Sequence, residues 1–481
     1  MTERLAGIKP ERVFKYFEEI CAVPHGSGNM DAIAEYCMSF AAEHSLEAVR
    51  DEANNVVIFK PAASGYENSE PIILQGHLDM VCQKEKGLDF DFESDGIRPY
   101  IDGDLIRAEG TTLGADNGIA VAMIFAILED MNACHPPIEA VLTTDEEIGM
   151  IGAEKLCTDI IKGKRMINID AEDFGTLTVS CAGGSDFRMI IPLKRKKIRA
   201  RRVEISLKGL RGGHSGIEIN SGRVNANILA GRVLNYAKAA ANFDIISIDG
   251  GDKGNAIPCS CTMQLALHEV GDFAENIEGY LDVIRKEIAE REPEFAASVT
   301  LFEESELEVI ESPLKDKLIF MLLCAPNGVA EMSAEIENLV ETSLNLGILK
   351  TEQDKMTALF TLRSNKKSAL KFLEDKLFTY AECVDCSIET SGHYQPWEFK
   401  ENSELQNLYK QTFKEFVGHE PEVVAIHAGL ECATFSKKIK DLDCIAIGPD
   451  IRDAHTVKES LSIASTEAVY ELILRLLKQC R

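Results

Sequence analysis

The sequence predicts an α/β fold: a discontinuous catalytic domain with a mostly parallel central sheet and helices on both faces, interrupted by an inserted α+β domain. Three observations predict it. Short apolar runs alternate with helical patterns in the first third of the chain, the middle third has a different pattern, and the first pattern returns near residue 400. Strand–helix–strand alternation is typical of parallel sheets that are covered on both faces.

The length of the chain supports more than one domain. It has 481 residues, whereas single hydrophobic cores stop growing at about 250–300 residues. We expect residues 1–185 to form the first part of the catalytic domain and residues 395–481 the second part. Residues 186–394 would be an inserted lid or dimerisation-type domain, and their twice-repeated strand–helix–strand pattern suggests two duplicated α+β halves.

Apolar periodicity predicts the individual elements. In the first part we expect helices within 11–48 and over 118–131, and strands over 56–59, 71–75, 138–144 and 166–170. In the insert we expect strands over 203–207, 262–268, 336–340 and 357–362, and helices over 224–240, 272–290 and 368–382. The last part reads as a helix over 403–416, a strand over 442–448 and a helix over 465–479.

Composition excludes several classes of function. The net charge of −28 argues against nucleic-acid binding, which needs a surplus of Lys and Arg. The longest apolar stretch, 119–128, is about half of what a membrane-spanning helix requires. The 14 Cys are scattered without a four-ligand zinc pattern, and the start of the chain has no apolar signal-peptide region. We therefore expect a cytoplasmic protein without nucleic-acid or membrane partners.

Acidic and imidazole side chains follow several of the predicted strands. His77 and Asp79 come after the strand over 71–75, and Glu146 and Glu147 come after the strand over 138–144. Ligands collect at the carboxyl ends of strands in open α/β sheets. His77 could bind a metal while Asp79 hydrogen-bonds its other ring nitrogen, and of the two glutamates one could bind a metal while the other accepts a proton.

Three further residues complete this predicted metal site. Asp116 stands among glycines at a helix start, where it would either cap the helix or bridge two metal ions. Asp170 ends its own strand, and His455 follows the strand over 442–448. Together these groups predict metal-assisted hydrolysis.

Six sequence blocks resemble one family of enzymes. The blocks are Gly76–Val81, Thr112–Gly118, Asp145–Gly149, Arg211–Gly216, Gly254–Pro258 and Ile426–Glu431. They recur in order in the aminoacyl-histidine dipeptidases, also called peptidase D or Xaa-His dipeptidases, of the di-zinc aminoacylase and carboxypeptidase clan. The resemblance runs from about residue 5 to the end of the chain.

The resemblance implies a role for each matching residue. His77 and Asp170 would hold one zinc ion, Glu147 and His455 the other, and Asp116 would bridge them. Asp79 would orient His77, Glu146 would be the general base and His214 would stabilise the oxyanion. Residues implied to bind substrate are Asn255, Arg363 and His427.

The implied activity is hydrolysis of dipeptides with free termini, including carnosine-like Xaa-His substrates, by a cytosolic monomer or homodimer. Carboxylate-rich sites also accept Co²⁺ or Mn²⁺. Two departures from the family pattern lie where substrate preference would be set: Asp453-Ala454 before His455, and the block Tyr394–Trp397. Two other functions remain open, an N-acyl or N-carbamoyl amino acid amidohydrolase on the same scaffold and a non-catalytic metal- or peptide-binding protein.

Overall fold

The computed structural model describes residues 4–481. Its helices are α1 (Glu11–Cys21), α2 (Asp31–Glu43), α3 (Ala115–Glu129), α4 (Ile151–Lys155), α5 (Ala226–Ala240), α6 (Phe273–Ile288), α7 (Ser312–Cys324), α8 (Lys367–Val384), α9 (Glu404–Val417), α10 (Glu431–Lys438) and α11 (Ile463–Gln479). A short 3-10 helix covers Thr158–Ile160.

The strands up to residue 192 are β1 (Glu47–Arg50), β2 (Val56–Lys60), β3 (Ile72–His77), β4 (Pro99–Asp102), β5 (Leu105–Ala108), β6 (Ile138–Thr143), β7 (Arg165–Asn168), β8 (Thr176–Cys181) and β9 (Gly183–Pro192). The later strands are β10 (Arg195–Lys208), β11 (Gly213–His214), β12 (Phe243–Gly250), β13 (Ala256–Ile257), β14 (Cys261–Leu267), β15 (Ala296–Ile310), β16 (Gly328–Met332), β17 (Val340–Thr351), β18 (Lys355–Ser364), β19 (Ser387–Tyr394), β20 (Glu422–Ile426), β21 (Asp443–Ala446), β22 (Ile451–Arg452) and β23 (Ser460–Ser462).

The chain divides into two compact units. The first comprises the chain up to Ser180 together with 399–425 and 430–481, and the second comprises 181–398 and 426–429. These limits differ by a few residues from the expected boundaries at 185/186 and 394/395. The return segment 426–429 was not expected in the second unit. It is held there because the Ala182 N–H donates to the Ile426 carbonyl over 3.0 Å.

The first unit contains a mixed sheet that confirms the predicted α/β fold. Its strand order is β1-β2-β6-β3-β7-β21-β8-β20. β3 runs parallel to both β6 and β7, and β7 runs parallel to β21, whereas β1, β2 and β6 pair antiparallel. Every residue of β3 and β6 is buried, as expected of strands covered on both sides.

Helix α3 is buried on all sides. Every residue from Asn117 to Leu128 is buried, which explains why its sequence is apolar without a polar face. Phe125 stacks on Phe40 of α2 with the ring centroids 4.0 Å apart. This packing fixes α3 beside β3, and so it fixes the start of the helix, where Asp116 lies.

The second unit is built on an antiparallel sheet of nine strands. The order is β15-β10-β14-β12-β17-β18-β9-β19, with β16 paired to β17. Helices α5, α6, α7 and α8 contribute apolar side chains to one core with this sheet. The predicted strand over 336–340 is wrong, because β17 begins only at Val340 and Asn338 has a left-handed φ of 62° that interrupts an extended chain.

Membrane-spanning helices are not found within residues 4–481, since every helix there is too short or too polar for a bilayer.

Candidate metal centre

The parallel pairing of β3 with β6 and β7 explains where the site lies. In this register His77, the last residue of β3, stands opposite Thr143, the last residue of β6. Glu146 and Glu147 follow β6 directly, and Asp170 lies two residues beyond the end of β7. Because parallel strands point the same way, their carboxyl ends meet at one edge of the sheet.

His77 is buried, with 1% of its surface exposed. Its Nδ1 lies 3.0 Å from the main-chain carbonyl of Asp79 and 3.4 Å from the Asp79 carboxylate. Since a carbonyl can only accept, Nδ1 carries a proton, and Nε2 is the ring nitrogen that could bind a metal ion. Nε2 points at Asp116 and Asp170, whose Oδ1 atoms are 3.2 Å and 3.5 Å away.

The carboxylate of Asp116 lies between two imidazoles. Its Oδ1 is 3.2 Å from His77 Nε2, and its Oδ2 is 3.0 Å from His455 Nε2. Its φ of −83° and ψ of 100° are not helical. Because the carboxylate faces the two imidazoles, its position favours a group that bridges two cations over a helix cap.

Three overlapping groups of side chains place their ligand atoms within 4.8 Å of one another. One group is His77, Asp116 and Asp170, and a second is Asp116, Glu147 and His455. These are the two sets that the sequence resemblance implies, and they share Asp116. Glu146 belongs to the third group, with His77 and Glu147.

Asp79 holds the loop that carries the two glutamates. Its carboxylate accepts hydrogen bonds from the N–H groups of Glu146 and Glu147 over 2.9 Å and 3.2 Å, and from the Ser27 hydroxyl over 2.8 Å. Asp79 therefore contacts the ring of His77 and fixes the neighbouring loop at the same time. The second contact was not expected from the sequence.

Asn117 joins two of the metal-site residues. Its Oδ1 accepts the N–H of His77 over 3.1 Å, and its Nδ2 donates to Asp170 Oδ1 over 2.9 Å. Sequence reasoning missed this role, although Asn117 stands in a block that was singled out. Asparagine is common at helix starts for capping alone, so its presence there did not indicate a contact with metal-site residues.

Burial and neighbouring charges perturb the carboxyl groups of the site. Burial, together with the nearby Asp170, raises the pKa of Glu146 well above its usual range, against the effect of His77. Burial also raises the pKa of Asp170 to about 6. The hydrogen bond to Asp116 and the adjacent carboxylate of Glu147 raise the pKa of His455 to about 11. So many close anionic groups favour a bound cation.

The donor set fits a divalent metal ion. It offers two imidazoles and several carboxylates, the ligand types that zinc prefers besides thiolate. Within residues 4–481, the buried atom Glu147 Oε1 has no hydrogen-bond partner, although His455 Nε2 lies 2.8 Å away. Buried polar atoms normally have such partners, so a metal ion would satisfy this oxygen.

The remaining site residues predicted from the sequence lie in the second unit. Arg363 of β18 is buried, and its guanidinium donates to the Tyr394 hydroxyl over 2.9 Å. Among the described residues its Nε has no hydrogen-bond partner. His427 contacts the Ser343 hydroxyl through Nε2 over 2.7 Å, and burial and Arg363 lower its pKa to about 3. A neutral His427 therefore lies beside a buried cation.

His214 lies near the same arginine. Its Nδ1 accepts the N–H groups of Gly216 and Ile217 over 3.2 Å and 3.1 Å. Burial and the charge of Arg363 lower its pKa. The imidazole is therefore neutral at pH 7, with its proton on Nε2, where it can be donated. A Cβ at Gly216 would be 2.4 Å from the His427 carbonyl and 3.2 Å from the Arg363 Nε, so only glycine allows this approach.

Asn255 is exposed and contributes through its main chain. Its carbonyl accepts the N–H of Ser215 over 2.8 Å. The structure thus connects the turn of His214 to the block that contains Asn255.

Two buried glutamates near the metal centre also escaped the sequence analysis. Glu431 accepts hydrogen bonds from Gln75 and Thr143 over 2.5 Å and 2.6 Å. Glu459 accepts main-chain N–H groups at the start of α3. Glu431 stands in a block that was singled out, but Glu459 is preceded by no recognisable pattern.

Comparisons with known proteins agree with this geometry. Residues 73–479 match the description "Peptidase family M20/M25/M40". The cytosol non-specific dipeptidase of Escherichia coli (strain K12) is 35% identical over 479 residues, which cover 99% of each chain. The crystal structure of aminoacylhistidine dipeptidase from Vibrio alginolyticus is similar with a TM-score of 0.88 and 36% identity, covering 98% of this chain and 97% of that one.

A more distant structure shares the fold. Aminopeptidase PepT from Bacillus cereus ATCC 10987 has a TM-score of 0.59 at 15% identity, covering 98% of this chain and 99% of that one. The resemblance seen in the sequence blocks is confirmed by the two full-length relatives and by the family match. The chain belongs to peptidase family M20/M25/M40 and is a metallopeptidase.

Proposed function

We propose that this protein is a cytosolic dipeptidase that hydrolyses dipeptides with free termini and depends on two divalent metal ions, with Zn²⁺ as the first choice. One observation carries the proposal: the Asp116 carboxylate lies between His77 and His455, each of which has a further carboxylate beside it. The substrate class and the cytosolic location rest on the two full-length relatives, both named as dipeptidases and one as a cytosol enzyme.

The residues that would hold the metal ions follow from the two groups that share Asp116. His77 and Asp170 would complete one site, and Glu147 and His455 the other. Bound ions of this kind polarise a carbonyl oxygen and lower the pKa of water to about 7. Co²⁺ or Mn²⁺ would fit the same oxygen-rich donor set.

Glu146 is the proposed general base. Its neighbour Glu147 is a proposed ligand, whereas Glu146 itself belongs to neither of the groups that share Asp116. Its main-chain N–H is fixed by Asp79, so its carboxylate is held beside the site. Glu146 would take a proton from the attacking water and give it to the leaving amine, a transfer worth about 10²–10⁴-fold in rate.

The residues of the second unit are proposed to bind the substrate. The unpartnered Nε of the buried Arg363 suits the carboxylate of a dipeptide. His214 would donate from Nε2 to the oxyanion that forms on the attacked carbonyl. Asn255 and His427 are proposed as further substrate contacts, with His427 neutral beside Arg363.

Two adjacent substitutions test the assignment of roles. Glu146→Gln is expected to keep the metal content of the wild type and to lower kcat by about 10²–10⁴-fold. Glu147→Gln is expected to lose about one equivalent of metal. Metal content by elemental analysis and kcat on one dipeptide separate the two roles. Near-normal turnover by the Glu146→Gln variant would show that another group is the base.

A substrate panel tests the activity itself. Free-amine dipeptides, including Xaa-His and β-alanyl-histidine, are compared with N-acetyl and N-carbamoyl amino acids on protein reconstituted with Zn²⁺, Co²⁺ or Mn²⁺. The proposal expects turnover of the free-amine dipeptides. Turnover confined to the N-acylated compounds would identify an amidohydrolase, and no turnover above background with any metal would identify a binding protein.

A further inference from the structure

Glu459 is a buried carboxylate that binds four consecutive main-chain N–H groups. Its Oε2 accepts those of Leu113 and Gly114 over 2.7 Å and 3.1 Å. Its Oε1 accepts those of Ala115 and Asp116 over 2.8 Å and 3.3 Å. Only 3% of the residue is exposed, so water does not compete for these bonds, and the loop that delivers Asp116 is fixed by one side chain.

Glu459 is also close in sequence to His455, the second imidazole of the candidate metal centre. Glu459 comes four residues after His455, and its N–H donates to the carbonyl of Thr456 over 3.1 Å, which closes a turn between them. His455 has a left-handed φ of 63°, a conformation that persists only when its surroundings hold it. One carboxylate therefore connects the loop of Asp116 to the turn of His455, whose side chains are 3.0 Å apart.

This arrangement requires both oxygens of a carboxyl group. Four N–H donors need acceptors on both oxygens, and N–H groups at the start of a helix attract negative charge. An amide in the same place has one oxygen, and its NH₂ group would face two N–H donors without an acceptor. Replacing Glu459 by Gln therefore breaks two of the four bonds and lets the loop of Asp116 move away.

We propose that Glu459 is a positioning residue for the metal centre, which sets the place of Asp116 relative to His455 and thereby the affinity for metal, without being a ligand. The inference rests on the proposed metal site. Partners that orient metal ligands are typically worth 10- to 100-fold in metal affinity. Glu459→Gln should therefore weaken the binding of at least one ion by that factor.

Glu139 offers a matched control. It is equally buried, lies in β6 of the same unit, and its carboxylate accepts the N–H groups of Lys162 and Gly163 over 2.9–3.1 Å. Glu139→Gln removes the same kind of bonds from a loop that carries no metal-site residue. Both variants should lose thermal stability, and only Glu459→Gln should lose metal affinity.

The experiment is titration of chelator-treated protein with Zn²⁺ in a calorimeter, together with the visible absorption spectrum of the Co²⁺ form. Wild type and Glu139→Gln should bind two ions with the same affinities and give the same Co²⁺ spectrum. Glu459→Gln should bind at least one ion 10- to 100-fold more weakly and give a changed spectrum. A folded Glu459→Gln variant with wild-type affinities overturns the proposal.

A second variant tests the proposal in case Glu459→Gln does not fold. Glu459→Asp keeps both oxygens but withdraws them by about 1.5 Å, so circular dichroism should show a native fold while metal affinity falls. Wild-type affinity in Glu459→Asp would also overturn the proposal. If the wild type itself binds no metal, the proposed function fails, and that result is distinct from equal binding by wild type and variants.

Discussion

The buried glutamate beside the metal centre gives a prediction whose magnitude follows from the structure. Glu431 is fully buried, and burial raises its pKa from 4.5 to about 7, with His77 and the Thr143 hydroxyl opposing the rise. A carboxyl group whose pKa is raised in the folded state makes its full contribution to the free energy of unfolding below pH 4.5, its unfolded pKa. That contribution is lost as the pH rises through the folded pKa of about 7.

At 1.36 kcal/mol per pKa unit, ionisation of Glu431 costs the metal-free protein about 1 kcal/mol at pH 5 and about 3 kcal/mol at pH 8. Glu431→Gln removes this cost, because a glutamine oxygen can accept from Gln75 and Thr143 as the protonated carboxyl does. The free energy of unfolding of the variant relative to wild type should therefore rise by about 2 kcal/mol between pH 5 and pH 8.

The assay is urea unfolding of chelator-treated wild type and Glu431→Gln at both pH values, followed by circular dichroism. Trp397, the single tryptophan, lies in the second unit, so its fluorescence follows the unfolding of that unit separately. An equal stability difference at pH 5 and pH 8 would refute the reasoning. It would mean that the fold does not raise the pKa of Glu431 above its unfolded value.

Two further predictions concern metal and substrate. Removing metal with a chelator should lower the melting temperature of the wild type by roughly 5–10 °C relative to protein with free metal at a hundredfold excess over Kd, because such binding contributes about 2.7 kcal/mol. The melting temperature of the Glu147→Gln variant should fall less. Equal shifts in the two proteins would contradict the assignment of Glu147 as a ligand. Arg363→Met should raise KM for a dipeptide about 10- to 100-fold, because a hydrogen bond to a charged group contributes about 1.5–3 kcal/mol. The same variant should leave KM for the C-terminally amidated dipeptide unchanged, and an equal rise for both substrates would show that Arg363 does not bind the carboxylate.

Placing the candidate ligands requires the positions of the strands, the residue types that follow them and the pairing of the strands. The local sequence carries the first two. Apolar runs marked β3, β6 and β7, and the residue types that follow them are those that bind metals. Parallel pairing then brings the strand ends together without any further information. His77 and Asp170 could therefore be placed at one edge of the sheet before the pairing of their strands was known.

The supporting residues were not predictable in the same way. Glu459 and Glu139 differ from solvated glutamates only in what surrounds them, namely main-chain N–H groups of loops that are distant in the chain. Residue type and spacing do not record which loop a carboxylate reaches. The prediction for residues 336–340 failed for a related reason, since an apolar pattern over a few residues does not show where a turn delays the start of a strand.

The sequence by itself determined the α/β class, the order of the strands along the chain and the candidate metal-binding side chains, because periodicity and residue chemistry are local properties. Only the tertiary structure decided that Asp116 stands between His77 and His455, that Asp79 holds the loop of the two glutamates, and that Glu459 holds the start of α3. These contacts join segments up to several hundred residues apart, and their distances are fixed by the packing of whole elements rather than by any one stretch of chain.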